Sequence, residues 1–173
     1  MKCTDILIQD HQIIRRALDV LDIMSARVEK GEALEPEHVE TLLRFLRTFA
    51  DDHHQVKEES ALFPELLQTS LANDARLRQI RFEHDQERSL VGGLEDSLRT
   101  KKGSDFVHFA KWLALLIRTH IHKEDNILFE LAERSFSEEQ DEQVTAELNK
   151  FKVDQSVFAD LDALEATYIR QVA

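Results

Sequence analysis

The chain has 173 residues, 42% of them hydrophobic and 32% charged, with a formal charge of −12 at pH 7. That length gives one domain with a sizeable core. That charge excludes nucleic acid and anionic membrane as natural partners, because both attract basic surfaces.

A single cysteine, Cys3, excludes an intrachain disulfide framework and fits a reducing compartment. The first residues lack the apolar core of a signal peptide, and the longest apolar run, Trp112 to Ile117, is too short to span a bilayer. The chain therefore reads as soluble and cytoplasmic. Four Gly and two Pro are sparse punctuation, which favours long helices over many turns.

In chain order, Leu7, His11, Ile14, Leu18, Leu21, Ser25 and Val28 step by fours and threes, the seam of an amphipathic helix with His11 inside it. Lys30-Gly31-Glu32 stops that helix and Pro36 starts the next. The second helix carries Val39, Leu42, Leu43, Leu46, Phe49 and Ala50 before His53 and His54. It is expected to end soon after Phe63, since Pro64 disfavours helix at the residue before it. Asn73 is a fair N-cap for a third helix through Leu77, Ile80, His84, Glu87, Val91, Leu94 and Leu98. Lys101-Lys102-Gly103 closes it, and Ser104 or Asp105 caps a fourth through Phe106, Phe109, Ala110, Leu113, Ile117, His120 and Glu124. Ser137-Glu138-Glu139-Gln140 has the pattern of a capping box. It opens a fifth, peripheral helix over about residues 137–171, with a break expected around Val153 to Ser156.

The chain uses one phrase twice. His54-Gln55-Val56-Lys57-Glu58-Glu59 returns as His120-Ile121-His122-Lys123-Glu124-Asp125, and each copy ends on a Leu-Phe pair, Leu62-Phe63 and Leu128-Phe129. In each, a Glu follows a His by four residues, which puts imidazole and carboxylate on one helix face, half of a metal site. Short connections make consecutive helices antiparallel, so residues equally far from a turn share a height. With turns near Ala33, Thr69 and Lys102, the residues His11, His54, His84 and His120 fall in one layer, one per helix. Four imidazoles and two carboxylates buried together are costly unless a cation joins them. The expected metal ligands are therefore His11, His54, Glu58, His84, His120 and Glu124.

The neighbours are sorted by direction. His53 has Lys57 four residues on and Thr119 as its counterpart, so it is read as lying beside the site or at the surface. His122 faces away from His120, and His38 and His108 are read as solvated. Glu59 and Asp125 point about 100° round from the glutamates before them and are read as lying outside the site.

The order His11, His54 with Glu58, His84, and His120 with Glu124, together with the Lys-Glu-acid to Leu-Phe surroundings, resembles the hemerythrin-like HHE cation-binding family. The likeness covers about residues 4–134. It implies an all-α, up-down-up-down four-helix bundle, here with an additional C-terminal helix in a single domain of residues 1–173. It also implies two non-haem irons with an oxo or hydroxo bridge, His11 and His54 on one, His84 and His120 on the other, Glu58 and Glu124 bridging. Manganese or zinc also suit such donors.

The implied function is binding or reaction with a small diatomic or peroxide ligand: O2, peroxide or nitric oxide. The alternatives are an iron or oxygen sensor, an iron-storage module acting through a partner, or repair of iron–sulfur centres. Oxygen-carrying relatives have a fifth histidine four residues after the one on the third helix; here that place is Arg88, which weighs against reversible oxygen carriage. Glu87, on the seam, either ligates or pairs with Arg88, the pair being favoured.

Overall fold

The computed structural model describes residues 1–170, and among them every regular element is helical. Helix α1 spans Cys3–Glu29 and α3 spans Ala75–Thr100. Helix α2 runs without interruption over residues 36–66 and includes π-helical stretches at Leu46–Gln55 and Glu58–Leu62. Helix α4 covers residues 103–135, with a π turn at Glu124–Leu128. Helices α5, Glu138–Leu148, and α6, Ser156–Tyr168, complete the described chain. None of its helices is long and apolar enough to cross a membrane.

Ion pairs fix how the long helices run. Along α1 and α4, Arg15 meets Asp125, Asp19 and Asp22 meet Arg118, and Glu29 meets Lys111, so the two are antiparallel. Along α2 and α3, Glu59 and Asp51 meet Arg88 and Arg47 meets Glu95, again antiparallel. Between α3 and α4, Glu83 meets Lys123 while Phe109 lies over Gly93.

The interior is divided into two apolar clusters with a polar layer between them. The larger contains Ile14, Ala50, Leu90, Ile117 and Ile121; the smaller contains Leu7, Ala61, Leu62, Ile80 and Leu128. On each long helix a member of one cluster precedes the buried His or Glu and a member of the other follows it. Apolar periodicity thus secures the helices on both sides of the polar residues they carry. Helix α6 packs on α1 and α2 through Leu161 and Leu164 and through ion pairs of Arg16 with Asp162 and Glu165. Helix α5 covers the other cluster through Val144 and Leu148, and Asp141 accepts the Cys3 N–H at 3.1 Å.

Helix α2 does end soon after Phe63, at Leu66, two residues past Pro64. Several other boundaries differ from expectation. The N-cap of α3 is Asp74, not Asn73: its carboxylate accepts the Arg76 N–H at 2.8 Å. Lys101, at φ +56°, is the left-handed residue that ends α3, and the Lys102 N–H reaches back to the Ser97 carbonyl at 3.0 Å. Helix α4 then begins at Gly103 rather than after a Ser104 or Asp105 cap. The Ser137–Gln140 capping box is present, and the expected break widens to a gap between Leu148 and Ser156, making two helices of the expected one. Gln171, the last residue of that expected helix, lies outside the described residues.

Gly93 permits the close approach of α4, since a Cβ there would lie 2.8 Å from the Phe109 ring, whereas one on Gly92 would meet nothing within 4 Å. Gly93→Ala is expected to destabilise by about 1–3 kcal/mol through overpacking. Gly92→Ala is expected to stabilise by about 0.5–1 kcal/mol through helix propensity. Denaturant unfolding of the two variants checks the contrast.

Candidate metal centre

The buried layer contains all six residues that the sequence nominates as ligands. His11, Glu58, His84 and Glu124 are fully buried, and His120 and His54 are 2% and 3% exposed. Within a helix, the four-residue spacing brings His54 Nε2 to 3.7 Å from Glu58 and His120 Nε2 to 3.2 Å from Glu124. Across helices, His11 Nε2 lies 3.1 Å from Glu124 and His84 Nε2 lies 3.3 Å from Glu58. Two groups result, His11–His54–Glu58–Glu124 and Glu58–His84–His120–Glu124, and within each the donor atoms lie within 4.8 Å of one another. Both glutamates belong to both groups.

The donors fit a cation. Both oxygens of Glu58 and of Glu124, with the Nε2 atoms of His84 and His120, are buried without a hydrogen-bond partner. Such orphaned groups are rare in a folded interior. The electrostatics agree. Burial pushes the His11 imidazole down, but the Asp125 carboxylate on its Nδ1 and the nearby charge of Glu124 outweigh it and raise its pKa to about 9. The His84 imidazole is likewise pushed down by burial, then raised to about 9 by Glu58 and Glu59. Burial drives Glu124 up, but His120 and His11 hold it well below the usual carboxylate range. Without a metal, protons supply the positive charge that the carboxylates demand.

The other ring nitrogens are held as well. The His11 Nδ1 is 2.6 Å from Asp125, His54 Nδ1 is 3.3 Å from Asp10, His84 Nδ1 is 2.7 Å from Glu59 and His120 Nδ1 is 3.0 Å from Glu83. This corrects the placing of Glu59 and Asp125 outside the site. They do turn away from the buried His and Glu of their own helix, but towards a histidine of the neighbouring helix. Asp10 and Glu83 escaped notice on the sequence, although an acidic residue immediately before both His11 and His84 is the signal that finds them. Carboxylates in this position orient an imidazole and make it a stronger donor.

Glu87 and Arg88 do not pair with each other. The Arg88 guanidinium bonds Asp51 at 2.8 Å and Glu59 at 3.0 Å. The buried Glu87 accepts the Gln55 side-chain N–H at 2.5 Å, keeps one unpartnered oxygen 3.8 Å from His120 Nδ1, and is raised by burial to about 7. His53 is half-buried, with its pKa lowered by burial and by Lys57 to about 4. His122 is exposed and meets Asn126, and His108 is exposed beside Trp112. His38 is not solvated as expected: its Nδ1 lies 2.8 Å from the Tyr168 hydroxyl.

An all-helical chain with two overlapping histidine–glutamate clusters in its interior defines a metal-binding helical protein. The description "Hemerythrin HHE cation binding domain" matches residues 3–132, and the chain belongs to that family of cation-binding proteins. Comparison with curated proteins and with solved structures returned no match.

A pH dependence follows for the chelated protein. An imidazole with a folded pKa near 9 and an ordinary value of 6.5 contributes stability that is full below pH 6.5 and lost as pH rises through 9. Urea unfolding of the metal-free protein is expected to show falling stability from pH 6.5 to 9. The metal-loaded protein, whose imidazoles carry no such proton, is expected to lack that fall.

Proposed function

We propose that this chain is an up-down-up-down four-helix bundle, one domain over residues 1–173, that holds two iron ions and reacts with a small oxidant: O2, peroxide or nitric oxide. The observation that carries the reading is the pair of four-residue clusters that share both Glu58 and Glu124. His11 and His54 would hold one ion, His84 and His120 the other, and Glu58 and Glu124 would be shared between them. The antiparallel contacts around α1 to α4 support the bundle, and the reducing compartment inferred from the single cysteine supports a cytoplasmic setting.

Iron so held would supply electrons and an open position for the small molecule. The chain's own residues orient the imidazoles, keep the six donors out of water and fix the spacing between the two positions. Each position has two histidines and two shared carboxylates, with Arg88 where a fifth histidine would stand. Arg88 is engaged with Asp51 and Glu59, so its guanidinium is not directed at the oxidant. Neither position is closed by an additional imidazole, which favours reaction over reversible carriage.

Elemental analysis after iron-replete expression is expected to give two metals per chain; one or none would sink the reading. His54→Ala is expected to lose metal, and His53→Ala and His122→Ala to retain both. In the reduced protein, O2 is expected to produce a spectrum that does not revert when oxygen is removed. A stable oxygenated form that returns to the reduced state would refute the reactive reading.

A further inference from the structure

Every histidine of the layer heads a chain of three residues. His11 meets Asp125, which Arg15 holds at 2.7 Å. His54 meets Asp10, which Lys57 holds at 2.6 Å. His84 meets Glu59, which Arg88 holds at 3.0 Å. His120 meets Glu83, which Lys123 holds. In each chain the histidine and the cation lie one turn apart on the same helix, and the carboxylate comes from a neighbour: Asp10 from α1 to α2, Glu59 from α2 to α3, Glu83 from α3 to α4, Asp125 from α4 back to α1.

The four chains form two matching pairs. Asp10-His11 with Arg15 repeats as Glu83-His84 with Arg88; His54 with Lys57-Glu58-Glu59 repeats as His120 with Lys123-Glu124-Asp125. Isolated surface ion pairs are worth little, but these are not isolated. The four carboxylate side chains are mostly shielded, and the Lys57 side chain is only 3% exposed. With Glu58 and Glu124, six carboxylates stand against these four cations, and Arg88 is shared with Asp51 as well.

We infer that Arg15, Lys57, Arg88 and Lys123 are positioning residues of the metal centre, each clamping the carboxylate that orients one ligand histidine and limiting the negative charge which that carboxylate passes to the metal. This rests on the metal-binding reading above. A carboxylate on Nδ1–H makes the imidazole a stronger donor, and a cation on the far side of that carboxylate draws part of the charge back. Loss of the cation and neutralisation of the carboxylate should therefore act in opposite directions on the metal. Loss of mere scaffolding would act in one direction.

The test uses the full chain with Arg15→Met against Asp125→Asn, and Arg88→Met against Glu59→Gln. These four positions are partly exposed, whereas the buried Lys57 risks failure to fold. With iron, the midpoint potential is expected to fall in the Met variants and rise in the amide variants, and Arg15→Lys is expected to restore the parent value. With zinc, chelator competition is expected to show affinity kept or increased in the Met variants and lowered roughly 10- to 100-fold in the amide variants. Parallel losses of zinc affinity in both kinds of variant, or potentials that do not move apart in iron-loaded protein, would overturn the inference. Failure to load two irons would refute the di-iron reading alone, because the zinc comparison still decides the role of the cations.

Discussion

Two glutamates and four histidines confined to one dry layer set the terms for the rest of the molecule. Desolvating an ion costs several kcal/mol unless opposite charge and hydrogen bonds replace the lost water. Here opposite charge comes from inside the layer and from around it. Every imidazole faces a glutamate with Nε2 and a further carboxylate with Nδ1. Two apolar clusters, one on either side, keep the layer from water and hold the helices that carry it. The layer is thus expensive to build and rigid once built, which is what fixed donor geometry requires.

The π turns serve the same end. A π turn takes more residues per turn than an α turn, so it shifts which face the following residues present. Both Glu58–Leu62 and Glu124–Leu128 begin on the shared glutamate. Ahead of each turn the helix faces the polar layer; beyond it, Leu62-Phe63 and Leu128-Phe129 are directed into the smaller apolar cluster. Phe63 then stacks on His84 with ring centroids 5.8 Å apart, and Phe129 on His11 at 5.6 Å. The aromatic rings close one side of the layer over two of its imidazoles.

Much of this was legible in the sequence, for identifiable reasons. One histidine per helix, each inside an apolar seam and equidistant from the intervening turns, is enough to place His11, His54, His84 and His120 together. Glu58 and Glu124 follow from the spacing of four. The π turns were not legible, because seam counting assumes a constant helical period and a single inserted residue leaves no mark on composition. The carboxylates on Nδ1 were misjudged for a related reason. A helical wheel gives the direction of Glu59 and Asp125 from their own axes, but not which neighbouring helix lies that way. The cap at Asp74 rather than Asn73 turned on one residue of register, which local preference does not resolve.

The Gln55–Glu87 pair breaks the internal correspondence between the two halves. Where α3 carries Glu87, the matching place on α1 is Ile14; where α2 carries Gln55, the matching place on α4 is Ile121. Both isoleucines belong to the larger apolar cluster, whereas Gln55 and Glu87 bring a hydrogen bond and an unpartnered oxygen to the same depth. The layer is built from two nearly interchangeable halves, yet its floor is oily on α1 and α4 and polar on α2 and α3, so each half contributes one residue of either kind. The molecule therefore has a sidedness that its repeated phrase conceals: it runs across the two halves, with α1 and α4 packed through apolar side chains where α2 and α3 are joined by a hydrogen bond.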